Sequence, residues 1–312
     1  MEGTSGLGEG KLCPGVHVVT VTPFLPDESL DEASIDSLVD FCAAAGADGL
    51  LMLGVMGEAD KLSDAERLRA IDRVLARNDG RLQVTVGVTA GATVVVRERA
   101  REAIRRGADA VMVSPPPGSV VGPALREHFA RVADGLNAPV VVQDHPASSG
   151  VKMPVSFIAS LAGVLPPHSV VKLEDPPVSA KLAELRSLTA AFQIFGGSGG
   201  IYLLPELDAG ADGVMTGFGM LESLVEIVRE NRAGNRETAR ARFERALPLM
   251  LFESQPGIAT GIRKEILRRR GAIRHATVRQ PAPGLSETTL GELEGLLAAR
   301  DGQTARRPDG EL

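Results

Sequence analysis

Hydrophobic positions along the chain fall into two alternating rhythms. Short runs that are apolar almost throughout, many of them rich in β-branched residues, are separated by longer segments with apolar residues at i, i+3, i+4 and i+7, such as EASIDSLVDFCAAAG and DAERLRAIDRVLARN. The first rhythm predicts strands covered on both faces, and the second predicts amphipathic helices. Eight runs qualify as strands: 17–24, 49–54, 82–89, 110–115, 139–146, 170–174, 193–197 and 213–217. Three joints echo one another, in AAGADGLLMLG, RRGADAVMVSP and DAGADGVMTG. Each sets Gly-Ala-Asp between a helix end and a strand start, where a glycine can take the left-handed conformation that closes a helix.

Repeated strand–helix units predict an α/β protein, specifically a closed (β/α)8 TIM barrel over residues 15–233. An open doubly wound sheet is the competing arrangement, but no strand here leads into a G-x-G-x-x-G turn. Residues 234–300 still read as helical and form an expected C-terminal helical extension, packed on the barrel or on a partner subunit. Residues 1–14 and 301–312 read as disordered tails.

Composition narrows the function classes. Aromatic residues make up 3% and the net charge is −6, which argues against nucleic-acid binding. The one basic run, IRKEILRRRGAIRH, lies on a helical pattern and reads as a solvated face. No apolar run reaches the roughly 18 residues of a membrane helix, and the glycine-rich N-terminus lacks the core of a signal peptide, so a cytoplasmic location is expected. Cys13 and Cys42, the two cysteines, sit in no metal or redox spacing. His17, His128, His145, His168 and His275 are dispersed, so no metal site and no cofactor are expected.

In a barrel of this kind, chemistry collects at the C-terminal ends of the strands. Lys172 stands inside the sixth strand, between two valines and Glu174, which shares its face. Two readings are open. Lys172 is a desolvated amine nucleophile that condenses with a ketone, or it is the partner of Glu174 in a structural ion pair. GVMGEAD (54–60) offers backbone N–H groups to an anion, or is simply a tight turn. QDHPASSG (143–150) gathers Gln143, Asp144 and His145 at the end of the fifth strand, with His145 either a proton carrier or a hydrogen-bonding element of the turn. FGGSGG (195–200) and MTGFG (215–219), with Gly196, Gly197, Ser198 and Thr216, close the seventh and eighth strands. They suit phosphate binding or close packing of the chain.

With these residues in place, the chain resembles the dihydrodipicolinate synthase and N-acetylneuraminate lyase family, (β/α)8 barrels that form a Schiff base with a 2-oxo acid. Four features carry the resemblance: TPF ending the first strand, GVMGE (Gly54, Val55, Met56, Gly57, Glu58) in place of Gly-x-x-Gly-Glu, DHP in place of Tyr-Asn-x-Pro, and Lys172. The resemblance implies that Lys172 forms the Schiff base, that the substrate is a small 2-oxo acid, and that the protein is a homo-oligomer, a tetramer or dimer.

The departures bear on the activity. The hydroxyl residues usual in the family loop are Val55 and Met56, the strand-five tyrosine is Gln143, and a second relay tyrosine falls on Pro117. The single tyrosine, Tyr202, matches neither position. The arginine that grips the second substrate in the synthases falls on Ser148, and the acidic pair of the sialic acid lyases on Ser198 and Gly199. The expectation is therefore a Schiff-base lyase or aldolase acting through Lys172, with proton transfer falling to Asp144, His145 or Glu174, and with neither named family activity. A dehydratase or deaminase on the same lysine, or a non-catalytic metabolite-binding relative, is the alternative. A raised Glu174 pKa would make that residue a workable acid.

Overall fold

In the computed structural model, residues 10–305 are described. Eight parallel strands close into a barrel in sequence order, β1-β2-β3-β4-β5-β6-β7-β8. They are β1 (Val16–Val19), β2 (Gly49–Met52), β3 (Gln83–Gly87), β4 (Ala110–Val113), β5 (Val140–Asp144), β6 (Val170–Leu173), β7 (Gln193–Gly196) and β8 (Gly213–Thr216). Every strand is shorter than its apolar run, because the run continues into the loop that builds the barrel mouth. β6 is held between β5 and β7 with Lys172 level with Gln143 and Phe195.

The outer layer comprises α1 (Glu32–Ala44), α2 (Asp64–Asn78), α3 (Thr93–Arg106), α4 (Pro123–Ala133), the short α5 (Pro146–Ser149) and α6 (Val155–Ser160), α7 (Val178–Leu188), α8 (Leu203–Asp208) and α9 (Leu221–Arg232). Ser63 and Glu66 form a reciprocal capping box at the start of α2, which satisfies two of the donors a helix N-terminus leaves open. The three Gly-Ala-Asp joints behave as the sequence predicts, with Gly46, Gly107 and Gly210 at φ 82°, 109° and 94°. Their aspartates share a second role. Asp48, Asp109 and Asp212 accept the backbone N–H of Val16, Val84 and Ile194 at 2.8, 2.7 and 2.8 Å, so each ties the strand it introduces to the strand beside it.

Two apolar bodies result. The larger fills the space between strands and helices. The smaller fills the barrel itself and contains Val19, Leu51, Met112, Val141, Phe195 and Met215. Leu12 closes its lower end at 1% exposure, and its carbonyl accepts from Gln193 Nε2 at 3.0 Å. Residues 11–14, expected to belong to a disordered tail, thus form the barrel floor, because an open barrel end would leave Phe195 and Gln193 without cover. Residues 1–9 of that expected tail lie outside the described residues.

Beyond the barrel come α10 (Arg236–Glu253), α11 (Ala259–Arg269) and α12 (Glu287–Ala305). α12 runs past residue 300, where the sequence suggested a second tail; residues 306–312 of that tail lie outside the described residues. α10 buries Phe243, Leu249 and Met250, and at its C-terminal end Glu253 lies under the barrel mouth. No helix among the described residues is long and apolar enough to cross a membrane.

Candidate active site

A cavity of about 280 Å³ opens at the C-terminal ends of the strands, and Lys172 and Glu174 line it. The pleat of β6 aims Val170 and Lys172 into the barrel, and Glu174, two residues further on, reaches the same space. Lys172 is 4% and Glu174 8% exposed, and Nζ lies 3.0 Å from Oε2. Glu174 is held from three sides. Gln143 Nε2 donates to Oε2 at 2.9 Å, the Ser198 backbone N–H donates to Oε1 at 2.9 Å, and Lys172 supplies the charge. Burial pushes the Glu174 carboxyl upward, but the Lys172 ammonium, His145, the Gln143 amide and the Ser198 N–H together hold it below its ordinary range. The sequence left the charge of Glu174 open, and the direction here is opposite to the raised pKa that would make it an acid. That direction favours the carboxylate form of Glu174 beside Lys172 Nζ.

Gln143, where the family has tyrosine, is a fixed spacer. Its Oε1 accepts from Ser114 Oγ at 2.7 Å while its amide nitrogen grips Glu174. Gly197 leaves the space on the other side, since a Cβ at that position would collide with the Glu174 carboxylate. The glycine pair of the seventh strand thus serves close approach, the second of the two roles open from sequence. Gly196 faces outward instead, and its missing Cβ leaves room for Glu206 of α8. Glu206 is fully buried, neither carboxyl oxygen has a hydrogen-bond partner among the described residues, and burial pushes its pKa up to about 8. It is a neutral acid behind the site, and nothing in the sequence pattern pointed to it.

Gly54, Val55, Met56, His145, Ser198 and Thr216 join the cavity wall. His145 Nδ1 lies 2.7 Å from Ser148 Oγ, so the imidazole is partly committed to its own turn. Gly57 and Glu58 turn away from the cavity. Thr22 Oγ1 donates to the Gly57 carbonyl at 2.6 Å, and Glu58 binds Lys264 at 2.6 Å and Lys61 at 2.9 Å. Phe24 lies under both Lys264 and Arg279, 4.4 and 4.3 Å from ring centroid to charge. The TPF and Gly-Glu signatures therefore anchor the loop to the C-terminal helices, and the expectation that Gly57 and Glu58 touch substrate is corrected.

Asp144 is likewise corrected. It follows Gln143 on β5, so it points out of the barrel, where Lys181 of α7 binds it at 2.6 Å and Asp175 at 2.9 Å. It is fully buried and far from a role at the cavity. Asp144→Ala is expected to cost about 3 kcal/mol, the low end for breaking a buried pair because Asp175 still neutralises Lys181. Thermal unfolding would register that loss, while covalent capture of a ketone by Lys172 stays unchanged. Loss of capture in a variant that still folds would return Asp144 to the chemistry.

Two charged groups reach the cavity from the C-terminal helices: Glu253, at the end of α10, and Arg263, from α11. No local pattern pointed to them, since the basic run containing Arg263 reads as a solvated face, yet Arg263 is 5% exposed. Beside the main cavity lies a second of about 570 Å³, lined by Pro117 and Ser148 among others. The two sites where the family places a relay tyrosine and a carboxylate-gripping arginine both face it, and neither residue here supplies a proton relay or a charge. Among the described residues no cluster of three or more histidine, cysteine, aspartate or glutamate side chains is placed to hold a metal ion.

Comparison with known proteins agrees with this geometry. A sequence profile described as the dihydrodipicolinate synthetase family matches residues 13–300. An L-2-keto-3-deoxyarabonate dehydratase from Azospirillum brasilense is 35% identical over 286 residues, 89% of this chain and 92% of the relative. A 4-hydroxy-tetrahydrodipicolinate synthase from Acidobacterium capsulatum is 30% identical over 291 residues, 90% of this chain and 94% of the relative. The crystal structure of dihydrodipicolinate synthase from Rhodopseudomonas palustris superposes with a TM-score of 0.87 at 34% identity, covering 92% of this chain and 99% of that one.

Proposed function

The chain belongs to the dihydrodipicolinate synthetase family, whose members are lyases or dehydratases, and from that premise we propose that it removes water from a 3-deoxy-2-oxo sugar acid through an imine at Lys172. The observation that carries the reading is the Lys172–Glu174 pair inside the cavity, with Nζ 3.0 Å from a carboxylate oxygen. The two readings of Lys172 left open by the sequence are here successive states of one site. At rest the ion pair stores the lysine as an ammonium. When a ketone enters, Glu174 takes the ammonium proton, the neutral amine adds to C2, and Glu174 returns the proton as the C2 oxygen departs as water. The resulting iminium acidifies the C3 hydrogens.

From that intermediate two bonds can break. Removing a C3 proton gives an enamine that expels the C4 hydroxyl, which leaves as water when protonated. Removing the proton of the C4 hydroxyl instead breaks C3–C4, as an aldolase does. Glu174, fixed by Gln143 and Ser198 at 3.0 Å from Nζ, is the carboxylate nearest the nitrogen that would form the imine, which favours it as the base for C3 deprotonation. The absence of a tyrosine from the cavity and the loss of an arginine at Ser148 weigh against condensation with an aldehyde acid. The dehydratase relative has the same direction of chemistry.

The test is product analysis with a panel of 3-deoxy-2-oxo acids of five and six carbons. Dehydration is expected to give a product lighter than its substrate by one water. Two smaller carbonyl fragments, pyruvate among them, would instead assign the aldolase reading. Binding of the panel without turnover or imine formation would leave a non-catalytic metabolite-binding protein.

A further inference from the structure

An imine at Lys172 uses the one lysine lining the cavity, and so leaves open what holds the negative charge of a 2-oxo acid. The loop that carries hydroxyls elsewhere in the family has Val55 and Met56 here, so it offers an anion backbone N–H groups but no side-chain donor and no charge. Most other polar groups in the wall are already spent. The Gln143 amide is bonded at both ends, and Ser254 Oγ donates to the Met250 carbonyl at 2.7 Å. Arg263 is different. Its Nε is bonded to Glu253 Oε1, and Glu253 Oε2 accepts the Gly219 N–H at 2.8 Å, which fixes the plane of the guanidinium. Its two Nη groups have no hydrogen-bond partner among the described residues. Nη1 lies against Gly217, where a Cβ would collide with it. A side chain 5% exposed, clamped on one edge and open on the other, lines the same cavity as Lys172.

We propose that Arg263 receives the carboxylate of the substrate, so that the site selects free 2-oxo acids over neutral ketones and esters. The proposal rests on the imine reading of Lys172. The charges are consistent with it. Lys172 with Glu174 and Arg263 with Glu253 are two balanced pairs, and they stay balanced on imine formation, since the iminium keeps the charge of the ammonium and Glu174 ends as the carboxylate. A carboxylate then arrives beside a guanidinium whose two remaining N–H edges match its two oxygens, a geometry that lysine cannot reproduce. Gly217, just past β8, fits the same purpose by letting Arg263 come close to the barrel rim, and Gly219 gives room to Ile266 of the same helix. The C-terminal extension thereby becomes part of the binding site.

Borohydride capture separates the possibilities, with pyruvate as the anionic probe and hydroxyacetone as its neutral counterpart. The wild type is expected to reach half-maximal adduct at a much lower concentration of pyruvate than of hydroxyacetone. Arg263→Gln should raise the half-saturating pyruvate about 10- to 100-fold while leaving hydroxyacetone within about twofold, the range expected for losing a charge-assisted hydrogen-bonded pair. Arg263→Lys preserves the pairing with Glu253 and serves if the glutamine variant does not fold; it is expected to recover only part of the pyruvate preference. Equal changes for both ketones, or none for either, would overturn the proposal and make Arg263 a clasp between α11 and the barrel. Failure of the wild type to capture either ketone would instead remove the imine reading on which the proposal stands.

Discussion

Lys172→Ala is expected to abolish the borohydride-stable adduct and to leave less than about 10⁻⁴ of the turnover, because among the described residues no other lysine lines the cavity to hold the ketone as an imine. Intact mass after reduction with a panel of 2-oxo acids, followed by peptide mapping, is the measurement. The alanine variant is expected to fold. Removing Lys172 leaves Glu174 with the Gln143 amide and the Ser198 N–H, two donors that hold a carboxyl group in either protonation state. Its stability should fall by about 1–3 kcal/mol, the cost of a buried acid left without its counter-charge but able to take up a proton. An adduct that survives in the alanine variant, or one that maps elsewhere in the wild type, would move the chemistry away from β6.

Glu174→Gln separates capture from turnover. The amide keeps the shape and an acceptor for the Ser198 N–H, while Gln143 can turn over to accept from the new NH2, but it cannot exchange a proton, so the rate of the elimination step should fall about 10²- to 10⁴-fold. Adduct formation should slow but still reach completion, since amines and water can carry the first proton more slowly. The pH dependence follows from the direction of the shift. Glu174 is held below its ordinary range, so it remains an ionised base through neutral and mildly acidic conditions. Activity is lost only as pH falls through that depressed value, where protonation removes the base. The acidic limb of kcat/KM should therefore lie below the usual carboxylate range in the wild type and vanish in Glu174→Gln. An unchanged acidic limb in the variant would place the essential base elsewhere, with His145 next in the cavity.

On the proposed reading, this chain changes the family's proton carrier without changing its nucleophile. The family position for tyrosine is filled by Gln143, which takes over the tyrosine's place in the wall but not its acid–base role. On the proposed reading that role falls to Glu174, just past β6 and 3.0 Å from Lys172 Nζ. The exchange requires room, and Gly197 provides it at the end of β7.

Much of this was legible in the sequence because it depends on local rules. Continuous apolar runs alternating with 3.6-periodic segments specify strands buried on both faces between helices, and eight of them in succession close as a barrel. The Gly-Ala-Asp joints follow from the backbone freedom of glycine, and Lys172 stood out because a lysine among valines is costly without a partner or a task. The face shared by Lys172 and Glu174 followed from the two-residue period of a strand. The same period also separates Gln143 from Asp144, but which of the two points inward depends on the register of β5 against β6.

What only the tertiary structure decided are contacts between residues far apart in the chain. Glu58 meets Lys264 and Arg263 meets Glu253 across helices whose placement no local pattern encodes. Leu12, in a segment with the composition of a tail, becomes the barrel floor because the apolar interior above it needs cover. The basic run around Arg263 looks like a solvated surface when read along the chain. It becomes the wall of a binding site only when α11 folds back over β8, where burial turns an exposed charge into one that must be paired and can select a ligand.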